Sequence, residues 1–269
     1  MPISSFQAEV LRCIAAHRNP NSHVAGGIAI NRDGPRYSGY IDIFHDSLHH
    51  LEAAVVADEA AFTVAGYALT WHPILRTTRR EATVARNDGH MQLEWALDSA
   101  FRFFPAQPDP LFGYVLHPVD LATNKVAAAA DRRVPRDIVD LVTVHERALP
   151  LGAIVAAAVG RFPGTSPEGM LAEITRHSRF TAAEFQALAT DQPTDVQAMH
   201  RRIRAMIEDA ERFLAALPSD AVGLVFLDGD TPVQPDPANL ACHTTRPGSL
   251  GGVWPTVPDV TGPPDHQGR

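Results

Sequence analysis

The hydrophobic periodicity of this chain changes once, close to residue 118, and that change constrains its fold more than any other feature. Before it, apolar residues fall into helical stretches interleaved with short alternating runs. After Asp120 they recur at helical spacing almost to residue 217. Spacing predicts a first helix over 5–18, with Phe6, Val10, Leu11 and Ile14 on one face and Asn19-Pro20 as its stop. Residues 28–33 read as a short helical turn, ended by Asp33-Gly34-Pro35. Residues 36–45 read as a strand on which Tyr40, Asp42 and Phe44 share one face and Ile41 and Ile43 the other. A helix over 47–67 follows, then strand-like pieces at 68–75, 82–86 and 91–97. Asn87-Asp88-Gly89 supplies the chemistry of a tight hairpin between the last two. Residues 101–120 hold four prolines and several aromatics and read as a loop crossing the domain. Val196, Met199, Ile203, Met206, Ile207, Ala210, Phe213 and Leu214 form a helical stripe whose ordinary use is core packing, and 222–227 reads as one more short strand.

These elements place the chain in the α/β (α+β) class, with an α/β domain over 1–118 and a helical domain over 119–228. The last 41 residues, 229–269, carry eight prolines and six glycines with little periodic pattern, and composition alone makes them a flexible tail.

Hydrophobic residues are 45% of the sequence and charged residues 20%, enough apolar matter for a sizeable core. No run approaches the ~18 apolar residues of a membrane span, and the first residues lack a basic segment followed by an apolar one. Two distant cysteines, Cys13 and Cys242, exclude a disulfide framework. The expectation is a cytoplasmic protein without a membrane partner. A net charge of −8 argues against broad nucleic-acid binding by phosphate neutralisation but leaves room for a local basic groove. The basic residues are 22 arginines and a single lysine, Lys125.

Phosphate chemistry needs few parts: a backbone that can approach a triphosphate, carboxylates that hold a cation, and a fixed positive charge. The first half supplies Gly26-Gly27, then Asp42 on its strand with Asp46 soon after, then Glu94 in a later strand. If the two strands are neighbours, Asp42 and Glu94 face a common metal. Taken singly, a glycine pair is an ordinary turn and a strand aspartate an ordinary solvated face. The helical half supplies Lys125, with Arg132 and Arg133 two turns on, and Asp137 and Asp140 three apart on one face of a helix opened by Pro135. A salt-bridged helical hairpin is the competing reading of that set. His45 and His49 have metal-ligand spacing but read better as surface or cap histidines, and Arg76, Arg79 and Arg80 read as a solvated edge or as phosphate contacts.

Two strings carry a resemblance. GGIAINRDGPRYSGYIDIF resembles the opening motif of the AbiEii/AbiGii family of nucleotidyltransferase toxins of type IV toxin–antitoxin systems. NKVAAAADRRVPRDIVDL resembles that family's second signature, a lysine followed about a dozen residues later by Arg-Asp-x-x-Asp, and LEWALDSAFRFFP and HPVDLATNK are similar to its intervening segments. The similarity is close over residues 22–145 and loose beyond. It implies a polymerase-beta-like nucleotidyltransferase domain with a mixed sheet, followed by a helical domain. The implied activity is Mg2+-dependent transfer of a nucleotide from an NTP to an acceptor such as tRNA, in a protein held by a cognate antitoxin. Carried over by position, Gly26, Gly27, Arg36, Ser38 and Asp140 fall in the nucleotide-binding motifs and Lys125 contacts phosphate. Asp42 matches the second aspartate of the family's carboxylate pair, and Asp137 and Asp140 its acidic pair on the following helix. The residues themselves add Glu94 as the partner of Asp42 on a metal and make Asp42, Lys125 and Asp137 the catalytic set, Asp137 orienting the acceptor or moving its proton. With Lys125 a phosphate contact, its replacement by alanine is expected to weaken NTP binding and leave the melting temperature nearly unchanged.

One position departs from the pattern. Tyr40 stands where the family has the first aspartate of its carboxylate pair, and a neutral phenol is a poor ligand for a hard cation. Either one metal is lost, or Asp46 or Glu94 compensates, or catalysis is weak. The alternative function is a catalytically degenerate member of the fold that binds nucleotide or antitoxin without chemistry.

Overall fold

The computed structural model describes residues 3–73 and 76–253. Helix α1 (Ser5–Ile14) opens with a capping box between Ser4 and Gln7 and buries Val10, Leu11 and Ile14. Strand β1 (Ser22–Ala25) runs into helix α2 (Gly26–Ile30), and β2 (Tyr40–His45) leads to α3 (Leu48–Val64). Three antiparallel strands follow: β3 (Ala68–Trp71), β4 (Arg79–Arg86) and β5 (Gly89–Leu97). Asn87 adopts φ 53°, the left-handed conformation that a two-residue hairpin demands, so the turn signal read from the sequence is the turn observed.

Residues 101–120 contain strands. Beyond β6 (Phe101–Arg102), β7 (Gln107–Asp109) and β8 (Gly113–Val115) form a hairpin that extends the main sheet. Seven strands therefore lie in the order β3-β4-β5-β2-β1-β8-β7, with β2 parallel to β5 and β1 parallel to β8. Strands of two or three residues are too short to show a period, which is why composition reads this stretch as loop. The inward face of β2, Ile41 and Ile43, packs with Leu93 and Trp95 of β5 and with Leu51 and Phe62 of α3. Beneath that core Asp58 of α3, fully buried, accepts hydrogen bonds from Arg18 at 2.6 and 2.7 Å and from the Trp95 indole at 2.8 Å.

The second half is helical: α4 (Pro118–Asp131), α5 (Pro135–Arg147), α6 (Leu151–Arg161), α7 (Pro167–His177), α8 (Ala182–Gln186) and α9 (Val196–Ala216). The α9 stripe joins a core with α4–α7, as its periodicity required. Among the described residues no single helix is long and apolar enough to cross a membrane. Composition misreads 229–253. There β9 (Leu224–Asp228) is flanked by β10 (Thr231–Val233) and β11 (Thr244–Pro247), and β12 (Ser249–Leu250) returns to pair with β6. The rest of the expected tail, 254–269, lies outside the described residues.

Candidate functional site

A cleft of about 620 Å³ opens where the sheet meets α4 and α5, and most of the residues singled out from the sequence surround it. Its floor is the outward face of β2. Tyr40, Asp42 and Phe44 all line it, since alternate residues of a strand share a face. Asp42 is the Cα partner of Glu94 on the parallel strand β5, so both carboxylates point into one space. Burial pushes Asp42 up to about 6, with Lys125 and Arg136 pulling it back. Burial and then the neighbouring Asp42 charge push Glu94 up to about 7, opposed by Arg79. That arginine sits 2.6 Å from Glu94 and 2.7 Å from Glu81.

The glycine pair lies directly above Asp42. Gly26 has φ 67°, and a Cβ there would overlap the Asp42 carboxylate. The Gly27 amide donates to that carboxylate. A Cβ on Gly27 would meet the Arg36 guanidinium at 2.5 Å. Both positions need glycine because main chain and charged side chains share one layer.

Behind the cleft wall is a buried charge network. Arg36 makes a bidentate pair with Asp140, both contacts at 2.9 Å, and Asn31 donates to the same carboxylate at 2.7 Å. Lys125 donates to Asp137 at 2.9 Å and lies 3.1 Å from Asp140. Arg132 closes the set on Asp137 at 2.8 Å. Burial alone would lower the Lys125 ammonium, but Asp140 and Asp137 hold it above its ordinary value. Asp137 lies below the usual carboxylate range: burial opposes this, and Lys125 and Arg132 outweigh it. Lys125 is held between these two carboxylates and also lines the cleft.

Several expectations change with this geometry. Asp137 and Asp140 do not line the cleft; both are fully buried, and Asp137 is an anchored, strongly ionised carboxylate, ill-suited to moving a proton. Ser38 lines the cleft but donates its hydroxyl to the Tyr40 carbonyl at 2.9 Å, so it shapes the entry to β2. Asp46 is paired with Arg102 away from the cleft and does not compensate for Tyr40. The alanine variant of Lys125 would take one cation from two buried carboxylates, leaving Asp137 to Arg132 and Asp140 to Arg36, so the lysine is structural as well as cleft-facing. Arg133 pairs with Glu184, and Arg136 lies over the Tyr40 ring, 5.1 Å from its centroid, so the simple helical-hairpin pairing holds only for Arg132 with Asp137. Among the described residues no group of three or more metal-ligating side chains occurs, His45 and His49 included.

Sequence reasoning passed over the roof. Residues 187–189, after α8, line the cleft from above. They are strapped to the segment before β2 by Tyr37 N–H to Ala189 C=O and Asp191 N–H to Pro35 C=O, each 2.9 Å. No spacing in the sequence announces a contact across 150 residues.

No protein-family model matches the chain, and no curated protein matches it in sequence. Among solved structures it is similar to MenT4, a nucleotidyltransferase toxin from Mycobacterium tuberculosis. That match has a TM-score of 0.59 and 16% identity, covering 80% of this chain and 83% of the other. A nucleotidyltransferase structure from H. pylori overlaps less well, with a TM-score of 0.46, 15% identity, and 77% and 94% covered. The chain shares the fold of the MenT4 structure, a mixed sheet followed by helices.

Proposed function

We propose that the cleft binds a nucleoside triphosphate and transfers its nucleotide to an acceptor such as tRNA, in a cytoplasmic toxin of the AbiEii/AbiGii type restrained by a cognate antitoxin. The observation that carries this reading is the convergence of three distant features on one space: the bare backbone of Gly26-Gly27, the Asp42 and Glu94 carboxylates, and the cleft-facing Lys125.

The donor set fits Mg2+ in a limited way. Two carboxylates on adjacent strands, each raised by burial, would be relieved by a divalent cation, and Mg2+ commonly takes one or two carboxylates and completes its shell with phosphate oxygens and water. Asp42 and Glu94 suffice for one ion; with Tyr40 beside them the residues do not fit a symmetric two-ion clamp. When bound, the ion would neutralise charge on the reacting phosphates. The chain's own residues do the rest. Gly26 and Gly27 admit the triphosphate against the main chain, Lys125 neutralises it from the facing wall, and the 187–189 roof closes the nucleotide end. The acceptor hydroxyl then attacks the α-phosphorus and gives its proton to water, while the bond from the α-phosphorus to the bridging oxygen breaks and pyrophosphate leaves.

Tyr40 favours a second reading, a fold that binds nucleotide or antitoxin without chemistry. Incubating the protein and a Tyr40→Asp variant with each radiolabelled NTP, Mg2+ and total tRNA decides between them. Label transferred by both proteins supports the enzyme; transfer by the Asp variant alone supports the degenerate reading. Silence from both, with no NTP binding by calorimetry, overturns the nucleotide site itself.

A further inference from the structure

The cations of the cleft are unequal. Arg36 is consumed by Asp140, Arg79 by Glu81 and Glu94, Arg132 by Asp137, and Lys125 is shared between Asp137 and Asp140. Arg136 is the exception. Among the described residues it has no carboxylate or hydrogen-bond partner, it is half-buried, and it lines the cleft. Its guanidinium rests over the Tyr40 ring, 5.1 Å from the centroid. A half-buried guanidinium with no carboxylate in hydrogen-bond reach keeps its donors available to an anionic ligand entering the cleft.

Resting on the nucleotide-binding reading above, we propose that Tyr40 and Arg136 act as a unit: the ring holds the guanidinium in the cleft, where it binds the triphosphate with a fixed positive charge in place of a second metal ion. The departure at Tyr40 then has a physical use. An aspartate at 40, on the same strand face as Asp42, would need a cation to offset two adjacent carboxylates. A tyrosine removes one negative charge and supplies a platform for a permanent cation. Guanidinium also suits the ligand, because its planar fork bonds phosphate oxygens two at a time. Arg136 thus becomes a binding residue and Tyr40 a positioning residue.

The proposal gives binding an unusual metal dependence. Calorimetry with each of the four NTPs and with inorganic tripolyphosphate, in EDTA and in Mg2+, measures it. The full chain should bind in EDTA within a few-fold of its affinity in Mg2+. Arg136→Ala should weaken binding in EDTA at least ~10-fold, the loss of one charge-assisted contact, with an unchanged melting temperature. Tyr40→Phe should bind like the parent, because the ring is kept. Tyr40→Leu should approach the Arg136→Ala value. Tyr40→Asp, which gives Arg136 a carboxylate partner, should bind only with Mg2+. If the parent binds in both buffers and Arg136→Ala binds equally well, the unit is wrong while the nucleotide site stands. If the parent binds only with Mg2+, metal supplies the charge and the proposal fails. If no probe binds the parent in either buffer, this proposal and the nucleotide reading fall together.

Discussion

At the scale of single residues, this site is built from atoms that are missing. Gly26 contributes nothing but the absence of a Cβ, and that absence lets main chain and the Asp42 carboxylate occupy neighbouring positions. Two penalties meet in Gly26→Ala: a left-handed φ of 67° and a methyl group overlapping Asp42. The first costs about 1 kcal/mol and would leave a folded protein. The second displaces the carboxylate from the cleft. The expected result is a melting temperature a few degrees lower with NTP binding lost, measured by calorimetry on the folded variant. Unimpaired binding by Gly26→Ala would show that no ligand approaches this turn. Tyr40 is the complementary case, a residue whose added bulk has to be explained, and Arg136 above its ring gives that bulk a partner.

At the scale of elements, β2 shows what the sequence could and could not disclose. Its alternation assigned Ile41 and Ile43 to the core and Tyr40, Asp42 and Phe44 to the opposite face, and the strand obeys because side chains alternate whatever the fold. The pairing of Asp42 with Glu94 was conditional on β2 and β5 being neighbours, a fact of topology that only the sheet order provides. β7, β8, β10 and β11 escape for another reason: each is only three or four residues long, too short to show a period, and proline content masks them. The same strand β2 ends in His45, fully buried, with neither ring nitrogen hydrogen-bonded to another described group. Burial, then the Arg18 and His50 charges, push it down to about 3. An unfolded histidine takes its proton near 6.5, so between about 6.5 and 3 the unfolded chain binds a proton that the folded one refuses. Stability is therefore present above 6.5 and lost as pH falls. His45→Leu removes this linkage, and its stability relative to the parent should improve by about 2 kcal/mol between pH 7 and pH 5. Urea denaturation at the two pH values measures the difference; a constant offset would mean that His45 takes its proton in the fold at the same pH as in the unfolded chain.

At the scale of the whole molecule, the cleft exists because an α/β half and a helical half are joined by charge. Arg36 and Asn31 come from the segment between α2 and β2, and Lys125, Asp137 and Asp140 from α4 and α5. Asp140 touches both sides. The 187–191 strap adds a second tie, and β12 on β6 a third. Division of the chain at residue 118 is thus a proposal about folding units rather than about separable functions, because neither half encloses the cleft alone. Removing Asp140 leaves Arg36 nearly fully buried without its bidentate partner and takes away one of the two carboxylates that hold Lys125. Breaking a buried pair in this way costs on the order of 3–5 kcal/mol. Asp140→Ala should therefore unfold at markedly lower urea concentration, and it should lose NTP binding under conditions where it is still folded, because Arg36 and Lys125 no longer hold the cleft wall. Arg36→Met in the same background, which removes the stranded charge, should recover part of the stability but none of the binding. Recovery of both would mean that the network serves only to join the halves, and that Lys125 finds its place in the cleft without help from the sheet.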